Sequence, residues 1–248
     1  GGIEGVIIGK TELYRILQEQ NGLIVFNADN AILKEKVNHQ NTLCYAFNQE
    51  ADCIGNIESD QPFLRLNYCY KNQKSIIVNS NLIGLYNAEN ILSAICVGKY
   101  LQVDDQSIIE SIASYAPDNS RSQIIKSNTN TIILDAYNAN PSSMKAALEN
   151  FSKMESQNKI VILGDMFELG ETSSAEHDNI IKEAMKGNYQ QRIFIGPRFG
   201  EHKLSYDALF FESTLLCSAY LQSSNKSNLN ILIKGSRGMK LETLLTSI

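Results

Sequence analysis

Three polar segments with chemically useful side chains each follow a short apolar stretch in the second half of this 248-residue sequence. They are DAYNANP at 135–141, GDMFELG at 164–170 and KGSRG at 234–238. Each is denser in carboxylates, amides and cations than an ordinary turn. Cations there would attract phosphates or carboxylates, and acids would bind an amine or Mg²⁺. The mixture predicts a ligand with both phosphate and amino-acid character.

Each segment also has a purely structural explanation. Asn140 and Pro141 form a typical helix start, an N-cap followed by proline at the first helical position. Gly164 and Gly170 can serve loop geometry alone, and the charged residues can be solvated surface groups. The functional interpretation therefore depends on all three segments lying at predicted strand ends.

The stretch EGVIIGKTEL at 4–13 is similar to the phosphate-binding loop G-x-x-x-x-G-K-[ST] at its end. The first glycine of that motif would fall where the chain has Glu4, whose carboxylate would repel phosphate. We therefore predict a loop or short strand over 4–11 that leads into a helix capped by Thr11. The helix should face a core through Leu13, Ile16 and Leu17.

The rest of the first half is predicted to be mixed α/β. LIVF at 23–26 predicts a buried strand, and residues 31–38 predict a helix. Between 41 and 83, TLCYAF, FLRLNYCY and KSIIVNS predict three short strands in an antiparallel patch, with YKNQK as a turn. Residues 87–101 predict a helix, with Asn87 and Asn90 on one face.

A regular alternation of strands and helices begins after the polar segment 114–123, where we place a domain boundary. This rhythm predicts a parallel sheet covered on both faces, and ligands of such sheets bind beyond the carboxyl ends of the strands. The predicted strands are TIILD, KIVIL, RIFIG, ALFF and NILIK, and the predicted helices are 141–155, 174–186, 213–223 and 239–247.

Composition excludes several classes of function. The formal net charge of −5 argues against a broad nucleic-acid surface. No apolar run reaches the ~18 residues that span a bilayer, and no signal peptide is visible, so we expect a cytoplasmic protein. The five cysteines show no paired spacing and predict reduced thiols, not a zinc site. The histidines form no Ser-His-Asp order, and His177 suggests a structural role.

Three longer motifs resemble the carboxyl-terminal domain of the Mur ligases. They are DAYNANPSSM at 135–144, LGDMFELGETSSAEH at 163–177 and ILIKGSRGMKLE at 231–242. GLYNAENILSA at 84–94 resembles the end of that family's central ATPase domain, and the opening residues resemble a stretch beyond its ATP loop. The resemblance covers essentially the whole chain in the right order. It implies the remainder of an α/β ATPase domain at 1–116 and a Rossmann-like, doubly wound domain at 117–248.

The resemblance implies ATP-dependent amide ligation in peptidoglycan precursor synthesis, with Mg²⁺ as a further cofactor. ATP would phosphorylate the terminal carboxylate of UDP-MurNAc-tripeptide, and an incoming amine would attack the acyl phosphate. DAYNANP and GDMFELG favour the member of the family that adds the dipeptide D-Ala-D-Ala. We expect a monomer that neither binds nucleic acid nor inserts into a membrane.

Roles for nucleotide-binding and metal-binding residues are implied by the same resemblance. Lys10 matches a lysine that is typically carbamylated and helps to hold Mg²⁺. Asn87 and Asn90 match the pair that contacts the adenine of ATP. Arg121 matches the arginine that meets the ATP phosphates, although the usual Gly-Arg is Ser-Arg here. Asp135 matches the acid near the ribose.

The remaining implied site residues lie in the polar segments. Tyr137 and Asn138 line the loop of Asp135 and count among the ATP-binding candidates. The candidates for handling the incoming amino acid or dipeptide are Asn140, Lys234, Ser236 and Arg237. Lys10, Arg121 and Asp135 are the candidates for a catalytic role.

The sequence also departs from the family pattern. It contains no domain for the UDP-sugar, no complete phosphate loop, and neither the glutamate nor the histidine that follow that loop and serve the metals. We therefore expect a fragment of a ligase that is inactive by itself. The alternatives are another ligase of the superfamily, adding glutamate or a diamino acid or extending folate, and a non-catalytic nucleotide- or peptide-binding module.

Overall fold

The computed structural model describes residues 2–61, 63–127, 129–156, 158–224 and 227–248. The chain divides into two compact units, Gly1–Tyr115 and Ala116–Ile248. Within the described ranges, no helix has the length and hydropathy that crossing a membrane requires.

The first unit begins with helix α1 (Gly2–Glu19), so the predicted loop or strand over 4–11 is wrong. Thr11 lies inside this helix and is not its cap, and its hydroxyl donates to the carbonyl of Ile7 at 2.8 Å. β-Branched residues cost only a few tenths of a kcal/mol each in a helix, which an 18-residue element absorbs. Leu13 and Ile16 are exposed, so the predicted core-facing side is also wrong there.

A five-stranded sheet follows, with its strands in sequence order. The pairs β1–β2 and β2–β3 are parallel and the rest are antiparallel, so the predicted antiparallel patch holds only for β3 to β5. β3 was not predicted. The strands are β1 (Ile24–Asn27), β2 (Thr42–Ala46), β3 (Cys53–Ser59), β4 (Arg65–Tyr70) and β5 (Ile76–Asn79).

Helices and one tight turn complete the first unit. Lys71 and Asn72, at φ 45° and 59°, form the turn between β4 and β5, a hairpin geometry that needs positive φ at both central residues. Helix α2 covers Ala31–Lys36. Helix α3 (Tyr86–Tyr100) buries Ala88, Ile91, Leu92 and Ile95 against the sheet, as its spacing predicts. Helix α4 (Asp105–Ser114) was not predicted.

The second unit contains a six-stranded sheet in the order β10-β9-β8-β11-β7-β6. All neighbouring strands are parallel except β6, which runs antiparallel to β7. The predicted all-parallel sheet is therefore corrected at one edge, where a half-exposed strand was missed. The strands are β6 (Gln123–Lys126), β7 (Thr131–Asp135), β8 (Lys159–Gly164), β9 (Gln191–Ile195), β10 (Leu209–Phe211) and β11 (Asn230–Lys234).

Helices connect these strands, as in a doubly wound fold. α5 packs on α6, and α8 packs on a 3₁₀ helix at Leu241–Ser247. That 3₁₀ helix replaces the α-helix predicted at 239–247, because Lys240 adopts a left-handed backbone with φ 51°. The helices are α5 (Pro141–Lys153), α6 (Ser173–Lys186), α7 (Pro197–Gly200) and α8 (Thr214–Ser223).

The three polar segments follow the ends of β7, β8 and β11, which are parallel neighbours. Their carboxyl ends therefore meet at the same edge of the sheet, as predicted. We call this edge, formed by segments 135–141, 164–170, 196–199 and 234–238, the carboxyl edge.

Candidate functional site

A buried ion pair lies at the centre of the carboxyl edge. Asp135 and Lys234 are register partners on β7 and β11. The Lys234 Nζ atom donates to Asp135 Oδ2 at 2.6 Å and to the carbonyl of Asn138 at 3.3 Å. Each charge compensates the other, which permits the burial of both. Lys234 is therefore not a free cation, and this geometry favours a positioning role over direct contact with a substrate.

Asp135 also fixes the segment that carries Arg121. Its Oδ1 atom accepts from the backbone N–H of Ser122 at 3.2 Å. The carbonyl of Ser120 accepts from the N–H groups of Ala136 and Tyr137 at 2.8 and 3.2 Å. These bonds tie both sides of Arg121 to the end of β7.

Two guanidinium groups flank one aromatic ring at this edge. The Cζ atom of Arg121 lies 3.8 Å from the ring centroid of Tyr137, and that of Arg237 lies 5.5 Å from it. All three side chains are exposed, and Tyr137 keeps 41% of its surface accessible. In the described ranges, neither arginine has a carboxylate within ion-pair distance. The edge therefore presents two uncompensated cations to solvent.

Three other predicted site residues use polar atoms to support loops. The Ser236 hydroxyl accepts from the N–H of Phe167 at 2.9 Å and is buried. Asn140 caps α5, where its Oδ1 accepts from the N–H of Ser143 at 2.8 Å. Asn138 Oδ1 accepts from the N–H of the next residue at 2.9 Å. Ser236 and Asn140 thus have structural tasks that compete with the predicted substrate contact.

A buried Asp165–His177 pair beside these segments was not predicted. Asp165 is 1% exposed, and its two carboxylate oxygens accept from the N–H groups of Arg198 and Phe199, both at 3.0 Å. Its own carbonyl accepts from the N–H of Ser236 at 3.2 Å. Asp165 therefore joins the loops after β8, β9 and β11. Its position directly after β8 was the available signal, but sequence does not distinguish a solvated acid from a buried one.

His177 completes this pair in its neutral form. Its Nδ1 atom donates to the carbonyl of Ser173 at 2.7 Å, and its Nε2 atom accepts from the N–H of Met166 at 3.0 Å. Burial lowers the pKa of His177 and raises the pKa of Asp165, because both charged forms lose solvation. The expected structural role of His177 agrees with these contacts.

A cavity of about 400 Å³ opens beside this pair and is lined in part by Phe167, Glu168, Arg198 and Met239. It holds an acid and a cation next to apolar surface. A larger cavity of about 690 Å³ lies between α5 and α6. We favour the smaller one as a ligand site, because its lining includes residues of the polar segment 164–170 and of segment 196–199 at the carboxyl edge.

The remaining predicted residues lie in the first unit. Asn90 Nδ2 donates to Asn87 Oδ1 at 3.1 Å, and Asn87 Nδ2 donates to the carbonyl of Ile83 at 2.8 Å, so the two side chains share one face as predicted. Lys10 is exposed on α1. No group of three His, Cys, Asp or Glu residues suited to a metal occurs in the part of the chain that the structure describes.

The fold is that of the two-unit α/β ligases. A crystal structure of MurF from Acinetobacter baumannii aligns with a TM-score of 0.79 at 23% identity, over 99% of this chain and 55% of that one. The family model "Mur ligase middle domain" matches residues 1–98, and "Mur ligase, glutamate ligase domain" matches residues 120–237. The chain belongs to the Mur ligase family, which confirms the resemblance in its motifs.

Two curated relatives of this chain share one enzyme name within this family. UDP-N-acetylmuramoyl-tripeptide–D-alanyl-D-alanine ligase of Rickettsia prowazekii is 27% identical over 98% of this chain and 56% of its own length. The ligase of the same name from Bacillus subtilis is 31% identical over 67% of this chain and 38% of its own length. The chain thus spans about half the length of the Rickettsia relative and a smaller part of the Bacillus relative.

Proposed function

We propose that this chain takes part in the ATP-dependent ligation of D-Ala-D-Ala to UDP-MurNAc-tripeptide, an amide-forming step of peptidoglycan precursor synthesis. The terminal carboxylate of the tripeptide attacks the γ-phosphorus of ATP, and ADP leaves. The dipeptide amine then attacks the acyl carbon, loses a proton and displaces inorganic phosphate. The protein contributes mainly by positioning the reactants and stabilising charge.

The observation that carries this proposal is the carboxyl edge itself, in a chain similar to two curated UDP-N-acetylmuramoyl-tripeptide–D-alanyl-D-alanine ligases. Two arginines without a carboxylate partner among the described residues suit phosphate oxygens. A MurF ligase from Thermotoga maritima with the same fold, at a TM-score of 0.73 and 20% identity over 91% of this chain and 52% of that one, was crystallised with ADP.

Roles in nucleotide binding are proposed separately for residues of the first unit and for residues of the second. Asn87 and Asn90 are proposed to contact the adenine, and their mutual hydrogen bond supports a shared role. Arg121 is proposed to meet the phosphates. Asp135 is proposed to lie near the ribose, with Tyr137 and Asn138 in the same loop. The Asp135 carboxylate is already bound by Lys234, which supports an indirect role for both residues.

The dipeptide is proposed to bind in the 400 Å³ cavity beside the buried pair. Its ends carry an ammonium and a carboxylate, which suit Glu168 and Arg198 respectively. Phe167 and Met239 offer apolar surface for the two methyl groups. Lys234, Ser236 and Asn140 would then act on this substrate by supporting the loops around it.

Mg²⁺ is proposed as a further cofactor, with Lys10 as a ligand after carbamylation. A carbamate turns the cation into an oxygen ligand that suits a hard metal ion. The exposure of Lys10 would leave its amine accessible to CO₂. The described residues alone do not fit a complete Mg²⁺ site, because they contain no cluster of three ligating side chains.

We propose that residues 1–116 form the carboxyl-terminal part of the middle domain and that residues 117–248 form the carboxyl-terminal domain. The division between Tyr115 and Ala116 supports this assignment. The sequence has no complete phosphate-binding loop, because Glu4 stands where the first glycine would be. We therefore expect no ligase activity from this chain alone. A cytoplasmic, monomeric protein is proposed because the nucleotide substrates are cytoplasmic.

A second candidate is an amide ligase of the same family with another acceptor. A UDP-N-acetylmuramate–L-alanine ligase from Clostridium perfringens is 26% identical over 57% of this chain and 31% of its own length. This match favours an amino acid over a dipeptide as the incoming amine. An assay with UDP-N-acetylmuramate and L-Ala in place of UDP-MurNAc-tripeptide and D-Ala-D-Ala separates the two candidates.

The test measures phosphate release from ATP in the presence of UDP-MurNAc-tripeptide, with and without D-Ala-D-Ala. It compares this chain with a longer form that carries an upstream phosphate loop, either native or taken from a curated relative. Release that depends on the dipeptide and occurs only in the longer form would support the proposal. A folded longer form that releases phosphate only with another amine would overturn the dipeptide assignment.

A further inference from the structure

We propose that Arg121 and Arg237 form a single paired-guanidinium site for a multiply charged phosphate anion, and that the ring of Tyr137 holds both cations in place. The proposal rests on the proposed function only in assigning Arg121 to phosphate. It assigns Arg237 to phosphate binding, whereas the sequence resemblance implies a contact with the dipeptide. It also gives Tyr137 a positioning role.

The geometry supports a joint site. Both guanidinium groups lie close to the ring of Tyr137. The Cζ atom of Arg121 is 3.8 Å from the ring centroid, and that of Arg237 is 5.5 Å from it. Two cations beside the same ring repel each other in the absence of an anion, although the face of an aromatic ring offsets part of that cost. The buried acid at the end of β7, Asp135, is compensated by Lys234 at 2.6 Å. The positive charges of Arg121 and Arg237 are therefore available to an anionic ligand.

The two arginines are held by the same strand end although they are far apart in the sequence. The segment of Arg121 is bound to Asp135 through Ser122, and β11, which precedes Arg237, is bound to Asp135 through Lys234. One carboxylate therefore fixes the spacing of both segments. A site that exists before its ligand arrives loses less entropy on binding.

Stacking leaves the guanidinium donors available. A guanidinium that lies over a ring uses its face, whereas its N–H groups point outward in its own plane. Two such planar forks can bind oxygens of adjacent phosphoryl groups, each through a pair of charge-assisted hydrogen bonds. A single carboxylate has too few oxygens to satisfy both forks. The site should therefore prefer pyrophosphate or triphosphate to a carboxylate.

The test titrates inorganic pyrophosphate into the 248-residue chain at fixed ionic strength. Calorimetry gives the Kd, and the NMR signals of the arginine Nε–H groups report which arginines respond. Arg121→Gln and Arg237→Gln should each weaken binding about tenfold, as expected for the loss of one charge-assisted pair. Arg65→Gln removes the same charge from an exposed strand position in the first unit and should leave the Kd unchanged.

Tyr137 needs a different pair of variants. Tyr137→Phe keeps the ring and should bind within about twofold of the unaltered chain, whereas Tyr137→Ala should weaken binding and broaden both arginine signals. Equal effects of these two substitutions would overturn the role of the ring. Circular dichroism of each variant separates lost binding from lost folding.

Three results would overturn the paired site. They are an unchanged Kd for Arg237→Gln, no pyrophosphate binding by the folded chain, and binding of acetate or D-Ala-D-Ala as tight as that of pyrophosphate. None of these results depends on ligase turnover. Phosphate release that needs the dipeptide could still occur in the longer form, so failure here is distinguishable from failure of the proposed function.

Discussion

Asp135 and Lys234 close a salt bridge of 2.6 Å between the last residues of two adjacent parallel strands, with the lysine side chain 3% exposed. This bridge joins positions 99 residues apart in the sequence. It also supports the segment that carries Arg121, because the same carboxylate accepts from the N–H of Ser122. This ion pair therefore joins the segments of Asp135, Arg121 and Lys234 at the carboxyl edge.

Removing one partner of this pair should be costly. Asp135→Asn or Lys234→Met leaves the other charge buried without compensation, which costs about 3–5 kcal/mol of unfolding free energy. The double substitution should recover most of that loss, because no isolated charge remains. Urea unfolding of the four proteins measures the coupling.

An exposed ion pair provides the control. Lys182 and Asp178 on α6 are also 2.6 Å apart, but the lysine is 57% exposed. Lys182→Met should change the unfolding free energy by less than about 1 kcal/mol. Additive losses in the Asp135–Lys234 double variant would contradict the interpretation of a compensated pair.

Gly196 should not tolerate a side chain. Its backbone has φ +118°, and an added Cβ would lie 2.3 Å from the Cγ atom of Asp165. Gly196→Ala should therefore lower the unfolding free energy by about 3 kcal/mol or more, through backbone strain and overpacking together. Thermal unfolding provides the measurement.

Gly200, at the end of α7, is the matched position for this test. An added Cβ there meets no atom within 4 Å. Gly200→Ala should change stability by no more than about 0.5 kcal/mol. Similar losses at both glycines would show that the contact with Asp165 is not the cause.

Lys159 should stabilise the end of α5. Its Nζ atom donates to the carbonyls of Phe151, Ser152 and Met154 at 3.3, 2.7 and 3.0 Å, and burial lowers its pKa. Lys159→Met removes these three charge-assisted hydrogen bonds and should cost about 1–3 kcal/mol. Lys153→Met, at an exposed position of the same helix, should be nearly neutral in the same urea series.

Stability should fall in mild acid because of His177. Burial lowers its pKa below the ordinary value of about 6.5, so the unfolded chain binds the proton more readily. The contribution of neutral His177 to the unfolding free energy is complete above about pH 6.5. It is lost as the pH falls from there towards the lower pKa of the folded state. The loss is at most about 1.4 kcal/mol per pH unit. Urea unfolding between about pH 5 and about pH 8 measures this slope.

The contribution of His177 can be separated from that of Asp165. Burial raises the pKa of Asp165, so its linkage has the opposite sign. Asp165 is present in both the unaltered chain and His177→Gln, so the difference between their pH slopes reports the histidine together with its coupling to Asp165. An NMR titration in which the His177 ring becomes protonated near its ordinary pKa would refute this account.

The five parallel strands of the second sheet were predictable because apolar stretches are bounded there by polar turns. β3 and β6 were missed for a physical reason: CIGNIES contains a glycine, and QIIK is short and half-exposed, so neither has the pattern of a buried strand. The start of the first helix was predicted as a loop or strand because Val6, Ile7 and Ile8 favour extended structure. These three residues lie within an 18-residue helix, whose length outweighs their weak preference.

The site was predictable to the extent that topology determines it. Parallel strands bring their following segments to one edge, so the proximity of Asp135, Asp165 and Lys234 follows from the alternation of strands and helices. Which side chains pair is decided by strand register, which local sequence does not encode. The salt bridge and the stacking of Arg121 on Tyr137 both depend on that register.

The strand order of the second unit has a consequence for its synthesis. β11, the last of the six strands of this sheet in sequence order, lies between β7 and β8. Until residues 230–234 leave the ribosome, the edges of β7 and β8 that pair with β11 have no partner, although β7 can already pair with β6 and β8 with β9. Termination of synthesis before residue 230 would remove an interior strand of the sheet and not an edge strand. We expect such chains to be captured by chaperones or degraded by proteases.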